Sequence, residues 1–341
     1  MSDAEPQGDP ISAWPDVDVV MPIRNEAEHL VAAVAAVRSQ EYPGRVRIFL
    51  GVGPSGDGTE RVAAELAATG DDLVVVDNPS GLTPSALNVA IRAGTAPIVV
   101  RVDGHSELSD GYIQRAVETM RRTGAVNVGG LQVPVATTPL EQAVAAATTS
   151  WLGTGGASYR VGGEEGPVDT VFLGVFDRGA VEAVGLFDER LIRNQDYELN
   201  IRLRKAGGDV WFDPTLSVGY RPRGSWRALA TQYFEYGRWK AVVMRMHPHS
   251  ARLRQLAPPA AVAGAGLTAA AACRWRRLSV VPAVAIGAVV AESIRVGRRT
   301  GAQPVRLAGV FGLVPTAWSA GLLRGSLDRS TTKHEPTSER D

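Results

Sequence analysis

The sequence has a single cysteine, Cys273, which excludes an internal disulfide framework and fits a reducing compartment. Its first fifteen residues are polar, acidic and proline-containing, and they lack the apolar stretch of a secretory signal peptide. We therefore expect residues 1–15 to form a disordered leader. A basic face with interleaved aromatic residues and the known nucleic-acid-binding motifs are also absent, so we expect no nucleic-acid partner.

The net charge of zero hides an asymmetry, because the C-terminal part of the chain has very few acids. Residues 1–250 hold 23 Lys and Arg against 31 Asp and Glu, a net charge of −8. Residues 251–330 hold 11 arginines and only two acids, a net charge of +9. A basic segment with long uncharged stretches predicts contact with anionic lipid rather than with nucleic acid.

Three stretches near the C-terminus are almost free of charge: Leu256–Cys273, Leu278–Ile294 and Leu307–Leu323, with Glu292 as their one charged residue. A spanning helix needs about 20 apolar residues, with roughly 17 as the lower limit. We predict that residues 251–325 form membrane-associated helices, with spanning helices favoured over buried or interfacial ones. Arginines flank both ends of each stretch, so orientation stays open. Residues 326–341 are predicted to be a polar tail.

Residues 16–250 alternate short apolar runs with helical patterns. Strands are predicted at Val17–Met21, Val46–Val52, Leu73–Val76 and Ile98–Val102. This alternation predicts an α/β, Rossmann-like domain, with a mostly parallel sheet and helices on both faces. Ligands of such sheets bind beyond the carboxyl ends of the strands. The candidate site segments are therefore Pro22–Glu26, Gly53–Thr59, Asp77–Ser85 and Asp103–Glu107.

Local signals predict several further elements. Asn25 is predicted to cap a helix that runs to about Arg38. Beyond residue 124 the alternation is less regular, and the predicted elements are a strand at Thr170–Phe176, a helix at Asn194–Ala206, a short strand at Val210–Phe212 and a long helix at Ser225–Met246.

A carboxylate and an imidazole two residues apart follow the fourth predicted strand, in Arg101-Val102-Asp103-Gly104-His105-Ser106. Asp103 and His105 would suit Mg²⁺ or Mn²⁺ that is held mainly by substrate phosphates. The alternative is a surface turn in which Asp103 caps a helix.

Two acids begin the predicted helix at Asn194, in Asn194-Gln195-Asp196-Tyr197-Glu198. Either Asp196 or Glu198 could accept a proton from an acceptor hydroxyl. Acids that complement the helix dipole explain the same charges equally well.

Two further motifs could contact a nucleotide. Ser55-Gly56-Asp57-Gly58-Thr59 offers backbone amides and a helix N-terminus, without the lysine of a P-loop. In Tyr236-Gly237-Arg238-Trp239, the arginine could hold a diphosphate while the indole packs on sugar or lipid. A plain turn and an amphipathic aromatic helix are the respective alternatives.

In this order the motifs resemble those of the family 2 inverting glycosyltransferases with the GT-A fold, over roughly residues 16–250. Val20-Met21-Pro22-Ile23-Arg24-Asn25-Glu26 is similar to the opening strand and loop of that family. Asp103-Gly104-His105-Ser106 stands where the family has its metal-binding Asp-x-Asp, and Gln195-Asp196 where it has Glu-Asp. The resemblance is closest to the succinoglycan-biosynthesis-type subgroup, which has Asp-x-His-Ser, Tyr-Gly-Arg-Trp and C-terminal membrane helices.

The resemblance implies roles for individual residues. Asp103 and His105 would bind a divalent metal, Mg²⁺ or Mn²⁺, and Asp196 would be the general base. The residues implied in donor binding are Pro22, Arg24, Glu26, Ser55, Asp57, Asp103, Arg238 and Trp239. The implied substrates are a nucleotide-sugar donor and a saccharide or lipid-linked saccharide acceptor. The catalytic domain would face the cytoplasm at the inner membrane.

The sequence departs from the family pattern at three places. Val52-Gly53 stands where the family has paired aspartates, one of which usually reads the nucleobase, and Gln195 stands where it has a glutamate. The Gln-x-x-Arg-Trp motif of processive synthases is absent, which predicts transfer of one sugar. These departures motivate an alternative function, a non-catalytic GT-A-like partner that docks other enzymes at the membrane. The glycine-rich stretch Ser150–Pro167 is a candidate acceptor-side loop or a flexible connection.

Overall fold

The computed structural model describes residues 14–150, 153, 157–272, 274, 275 and 279–328. The predicted leader up to residue 13, Cys273 and the predicted tail from residue 329 lie outside the described residues.

Nine strands and twelve α-helices make up the described part of the chain. The strands are β1 (Val17–Ile23), β2 (Val46–Val52), β3 (Leu73–Asp77), β4 (Ile98–Arg101), β5 (Glu107–Leu108), β6 (Asn127–Pro134), β7 (Gly166–Pro167), β8 (Phe172–Asp177) and β9 (Val210–Tyr220). The helices are α1 (Leu30–Arg38), α2 (Thr59–Ala67), α3 (Thr83–Ala93), α4 (Tyr112–Thr123), α5 (Pro139–Thr148), α6 (Ser158–Val161), α7 (Arg178–Ala183), α8 (Gln195–Lys205), α9 (Trp226–Met246), α10 (Leu253–Ala272), α11 (Val280–Thr300) and α12 (Pro304–Leu327).

All nine strands belong to one sheet, in the order β3-β2-β1-β4-β8-β6-β9-β5, with β7 paired to β9. The first four strands are parallel, which confirms the α/β prediction for this half. From β8 onward the sheet is mixed, because β8 runs antiparallel to both of its neighbours, β4 and β6. The carboxyl ends of β1, β2, β3 and β4 therefore meet at one edge of the sheet, next to the beginning of β8.

Strand β1 is buried on both faces, which explains its continuous apolar sequence. Val19 and Met21 pack in the cluster that includes residues of α1, α2 and α4. Val20 packs on the other face, in the cluster that includes residues of α3, α7 and α8. Helices therefore cover both faces of the sheet, as predicted.

Two predictions for local structure were wrong. Helix α1 begins at Leu30, and Asn25 precedes it in the left-handed region at φ 52°, where its Oδ1 accepts from the backbone N–H of Gly56. Strand β9 extends eight residues past Phe212, because its second half pairs with β6 through a register shift.

The C-terminal helices pack on two helices of the preceding domain, α5 and α9. Helix α12 crosses α9 so closely that a Cβ added at Gly237 would lie 2.0 Å from the Trp318 carbonyl oxygen. One apolar cluster joins α5, α9, α11 and α12 through Val144, Leu229, Val296 and Phe311. Helices α11 and α12 thus pack against the sheet domain through α9 and α5.

Two described helices, Val280–Thr300 and Pro304–Leu327, are long and apolar enough to cross a membrane by length and composition. They coincide with the second and third predicted stretches. The described part of the first stretch, up to Ala272, lies in α10, whose interior contains Pro258 and Pro259. Large apolar side chains of α11 are exposed, among them Val284 and Ile286.

Candidate active site

The loops that follow β1 and β2 are hydrogen-bonded to each other at the edge of the sheet. We call the bonded residues, Asn25–Ala27 and Ser55–Thr59, the shelf. Ser55 Oγ accepts from the N–H of Asn25 at 3.1 Å, and Asp57 Oδ2 accepts from the N–H of Ala27 at 3.1 Å. Thr59 Oγ1 accepts from the N–H of Glu26 at 2.8 Å. The shelf is therefore fixed before any ligand arrives.

Ser55 and Asp57, both predicted to border the nucleotide, bind the backbone of the neighbouring loop. The pKa of Asp57 is lowered, chiefly by the hydrogen bond from the Thr59 hydroxyl. The predicted contact of Ser55 and Asp57 with a nucleotide stays a prediction.

Close packing of two loops explains why position 53 is a glycine. A Cβ added there would lie 2.9 Å from Gly81 Cα, in the loop that follows β3. The close approach of these loops therefore leaves no room for the acid that the family has at this position. Arg24 extends over the same loop, since a Cβ at Gly81 would lie 3.5 Å from Arg24 Nε. Pro22 pairs with Gly51 of β2, one residue before β1 ends at Ile23.

Arg101 ends β4 and joins the carboxylates of Asp103 and Asp196. We call the space around these three side chains, at the carboxyl edge of the sheet, the crevice. Arg101 Nε and Nη2 donate to Asp103 Oδ1 at 3.1 and 2.9 Å, and its Nη1 donates to Asp196 Oδ1. Its side chain is 5% exposed. A buried guanidinium is costly unless it is paired and hydrogen-bonded, so the carboxylates are what allow an arginine to end β4. The motif that begins with Arg101 does not by itself indicate this role for the arginine.

The environment of Asp196 moves its pKa upward. Burial raises the pKa, the Arg101 guanidinium opposes the rise, and the negative charge of Asp103 adds to it. A carboxylate with a raised pKa is a stronger base than a free aspartate, which is what proton abstraction from a hydroxyl requires.

Asp196 is also the acid that faces the crevice. Glu198, the other candidate base, is 1% exposed, accepts from Arg202 and lies 2.8 Å from His247 Nε2. Glu198 is thus bound by partners within the fold, whereas the Asp196 side chain is 29% exposed, which favours Asp196 as the base.

His105 and Glu26 meet across the mouth of the crevice. His105 Nδ1 lies 2.8 Å from Glu26 Oε1, and this hydrogen bond raises the pKa of the imidazole. A carboxylate that binds one ring nitrogen orients the other for a metal. Glu26, predicted to contact the donor, thus contacts the imidazole in the structure.

The donor set fits a divalent ion held largely by a ligand. Both hydrogen bonds from Arg101 to Asp103 use Oδ1, so the ligand atoms that would hold a metal are Asp103 Oδ2 and His105 Nε2. In the part of the chain that the structure describes, no three His, Cys, Asp or Glu side chains converge into a site that could hold a metal alone. Two protein ligands suit Mg²⁺ or Mn²⁺ bound through substrate phosphates.

Arg238 and Trp239, both predicted to contact the donor, have partners within the fold, and their contact with the donor stays a prediction. Arg238 lies 3.4 Å from an Asp328 carboxylate oxygen, at the end of α12. Trp239 is 4% exposed and packs with Leu191 and Ile201 beneath α8. The Tyr-Gly-Arg-Trp element therefore holds helices together.

The fold and the crevice define the class of protein, a glycosyltransferase of the GT-A type. The family model "Glycosyl transferase family 2" matches residues 18–185. Succinoglycan biosynthesis protein ExoA from Rhizobium meliloti (strain 1021) is 33% identical over 318 residues, which cover 91% of this chain and 94% of that protein. The chain belongs to glycosyltransferase family 2, which confirms the resemblance seen in the sequence.

More distant proteins share parts of the sequence or the fold. A dolichyl N-acetyl-alpha-D-glucosaminyl phosphate 3-beta-D-2,3-diacetamido-2,3-dideoxy-beta-D-glucuronosyltransferase from Methanococcus voltae is 24% identical over 238 residues, covering 67% of this chain and 74% of that protein. The structure of mannosyltransferase PcManGT from Pyrobaculum calidifontis in complex with GDP-Man and Mn²⁺ matches with a TM-score of 0.59 at 17% identity, covering 94% of this chain and 91% of that one. The second likeness confirms the fold.

Proposed function

We propose that this glycosyltransferase is a membrane-associated inverting enzyme that transfers one sugar from a nucleotide-sugar donor to a cell-envelope or exopolysaccharide acceptor. The observation that carries the proposal is the carboxylate pair joined by Arg101, with Asp103 on the donor side and Asp196 on the acceptor side. The name of the Rhizobium relative, a succinoglycan biosynthesis protein, supports a polysaccharide product.

In the proposed reaction, Asp196 accepts the proton of an acceptor hydroxyl as that oxygen attacks the anomeric carbon. The new glycosidic bond forms as the bond from the anomeric carbon to the diphosphate breaks, so configuration inverts and a nucleoside diphosphate leaves. A positioned base contributes about 10²- to 10⁴-fold to such a step. Asp103 and His105 would hold Mg²⁺ or Mn²⁺, which when bound would neutralise charge on the departing diphosphate.

The donor side of the site is built from the shelf of Asn25–Ala27 and Ser55–Thr59. Its backbone lies at the N-terminus of α2, where the helix dipole favours a negatively charged phosphate. Pro22 and Arg24 border the same edge. The Pyrobaculum enzyme, whose fold is similar, holds GDP-Man and Mn²⁺, and this supports a nucleotide sugar and a divalent metal as ligands.

The apolar helices α11 and α12 support attachment to a membrane. Their exposed valine and isoleucine side chains, including Val284, Ile286 and Val290, suit a lipid environment. A nucleotide-sugar donor is made in the cytoplasm, so we place the catalytic crevice at the cytoplasmic face of the inner membrane.

Calorimetry of the detergent-purified full chain against nucleoside diphosphates, with and without Mn²⁺, tests the donor half of the proposal. We expect metal-dependent binding of one nucleotide, lost in Asp103→Ala and retained in the control Asp72→Asn, which changes a surface ion pair with Arg38. Absence of any nucleotide binding by a folded sample would favour the alternative, a non-catalytic docking partner.

An assay of sugar transfer tests the catalytic part of the proposal, the role of Asp196 as the base. Membranes that contain the enzyme are given the matching nucleotide sugar, labelled in the sugar, and label is counted in the lipid and polymer fractions. Asp196→Asn should reduce transfer by at least about 10²-fold while nucleotide affinity is retained. Transfer near the wild-type rate in this variant would show that another group is the base.

A further inference from the structure

A second cation, Arg160 of α6, lies near the crevice with tyrosines as its neighbours. Its Nη1 is 3.5 Å from the Tyr233 hydroxyl, and its guanidinium lies over the Tyr159 ring at 5.6 Å from the centroid. None of the Asp and Glu side chains within the described ranges forms an ion pair with it. A partly buried guanidinium normally has an anionic partner, so its surroundings suit an anion from outside the chain.

Contacts connect this cation to the general base. The rings of Tyr233 and Tyr236 meet edge to face at 5.7 Å. The carbonyl oxygen of Tyr236 accepts from Asn194 Nδ2 at 3.1 Å, two residues before Asp196. Arg160 therefore belongs to the side of the crevice from which an acceptor would approach Asp196.

Half-buried aromatic rings continue from Arg160 along this side. The Tyr159 ring stacks on Phe172 at 6.5 Å, and Phe172 meets Tyr220 edge to face at 6.4 Å. The hydroxyls of Tyr220 and Tyr236 both accept from Gln232. Burial raises the pKa of Tyr236 to about 12, so its hydroxyl stays protonated and able to donate at neutral pH. The surface combines apolar ring faces with polar tips, which suits a sugar ring.

The same cation also borders the apolar layer. Tyr233 is 8% exposed and belongs to the cluster that α5, α9, α11 and α12 form. Phe311 and Val314 of α12 line a narrow cleft together with Tyr233 and Ala147. Arg160 is therefore located where a polar crevice meets the helices that we place at the membrane.

We propose that Arg160 and the hydroxyl groups of Tyr233 and Tyr236 bind the phosphate group that joins the acceptor saccharide to a lipid. The lipid chain would lie against the C-terminal helices, and the sugar next to the phosphate would lie on the aromatic surface toward Asp196. This inference rests on the proposed function. A guanidinium can give a phosphate two parallel hydrogen bonds, and tyrosine hydroxyls add neutral donors.

Binding of a simple amphipathic phosphate, without donor or turnover, tests the inference. The full chain in neutral detergent is titrated with farnesyl diphosphate, with farnesol and with inorganic pyrophosphate, and binding is followed by calorimetry. We expect farnesyl diphosphate to bind more tightly than either of the other probes. Arg160→Gln should weaken its binding about 10- to 100-fold, the range of a hydrogen bond to a charged group. Arg160→Lys should lose less, because it keeps the charge but not the paired donors.

Arg227→Gln is the matched control, because Arg227 is exposed in the first turn of α9. Equal losses in Arg227→Gln and Arg160→Gln would show general attraction to the basic surface and would overturn the assignment. Unchanged affinity in a folded Arg160→Gln sample would overturn it as well. Displacement of farnesyl diphosphate by equimolar short-chain phosphatidylglycerol would assign the site to bilayer headgroups rather than to the acceptor.

The two proposals fail in different ways. Nucleoside diphosphate affinity should be unchanged in Arg160→Gln, because the nucleotide shelf belongs to other loops. Loss of farnesyl diphosphate binding with nucleotide binding intact supports the acceptor site. Nucleotide binding without preferential binding of farnesyl diphosphate by the wild type would overturn the acceptor site alone.

Discussion

Replacement of Arg101 by methionine removes the one positive charge that the structure places between Asp103 and Asp196. An opposite charge within about 4–6 Å lowers the pKa of a carboxyl by roughly 1–3 units. Asp196 must be ionised to accept a proton, and Arg101 opposes the rise that burial and Asp103 cause in its pKa. Without Arg101 the pKa therefore rises further, and the acidic limb of the pH–rate profile should move to higher pH by about 1–3 units.

The same substitution should destabilise the fold. Breaking a buried ion pair costs about 3–5 kcal/mol, because it leaves a charge without a partner. The Asp103 and Asp196 side chains are 23% and 29% exposed, so solvent offsets part of this cost, and we expect about 2–4 kcal/mol.

The assay is transfer of labelled sugar between pH 5 and 9, together with thermal unfolding of the purified variants. Arg101→Lys keeps the charge and should move the acidic limb less than Arg101→Met does. Arg38→Met, at a surface ion pair with Asp72, is the control and should leave the profile unchanged. A folded Arg101→Met enzyme with the wild-type acidic limb would refute the reasoning, because Arg101 would then have no electrostatic influence on the base.

Three further predictions concern the proposed metal site, the contact between α9 and α12, and Trp239. Glu26→Gln should weaken Mn²⁺ binding about 10- to 100-fold in a metal titration, because the His105 imidazole loses its orienting carboxylate. Glu28→Gln, at an exposed neighbour, is the control and should leave Mn²⁺ binding unchanged. Equal effects of the two substitutions would contradict the role of Glu26. Gly321→Ala should lower the midpoint of thermal unfolding, because the new Cβ would lie 1.9 Å from the Phe234 carbonyl oxygen of α9. Gly312→Ala is the control and should not lower the midpoint, because its Cβ would meet nothing within 4 Å. Trp239→Ala should cost about 3–5 kcal/mol of stability, because the buried indole packs with Leu191 and Ile201. We expect a folded Trp239→Ala sample to retain nucleotide affinity, and a loss of affinity would support the predicted contact of Trp239 with the donor.

The sequence predicts the first half of the sheet well, for a physical reason. Strands β1, β2 and β4 are largely buried on both faces, so they appear as apolar runs between helical patterns. Strand β6 has no such signal. Gly129 and Gly130 stand where a Cβ would lie 2.7 Å from the Val171 side chain and 2.1 Å from the Leu216 carbonyl oxygen, so packing excludes the β-branched residues that mark a strand.

In the candidate site, too, the sequence predicts residues that belong to short motifs but not contacts between residues far apart in the chain. Asp103 and Asp196 were identified from short motifs, but nothing local indicates that Arg101 contacts a residue 95 positions away. Nothing local indicates the contact of Arg238 with Asp328 either, because Asp328 lies 90 positions further along the chain. Residue types predict chemistry, whereas the fold decides which of several charged groups meet.

Helix α9 connects Asp196, the proposed general base, to the apolar C-terminal helices. On one side it contacts the turn before Asp196 through the Asn194–Tyr236 hydrogen bond, and Trp239 supports α8 from below. On the other side Gly237 allows α12 to approach backbone to backbone. Because interiors are close-packed and transmit displacements, we expect a shift of α12 to move the turn that carries Asp196 as well. The apolar helices beyond residue 250 differ from the sheet domain in composition, yet one of them packs directly on the helix that contacts this turn.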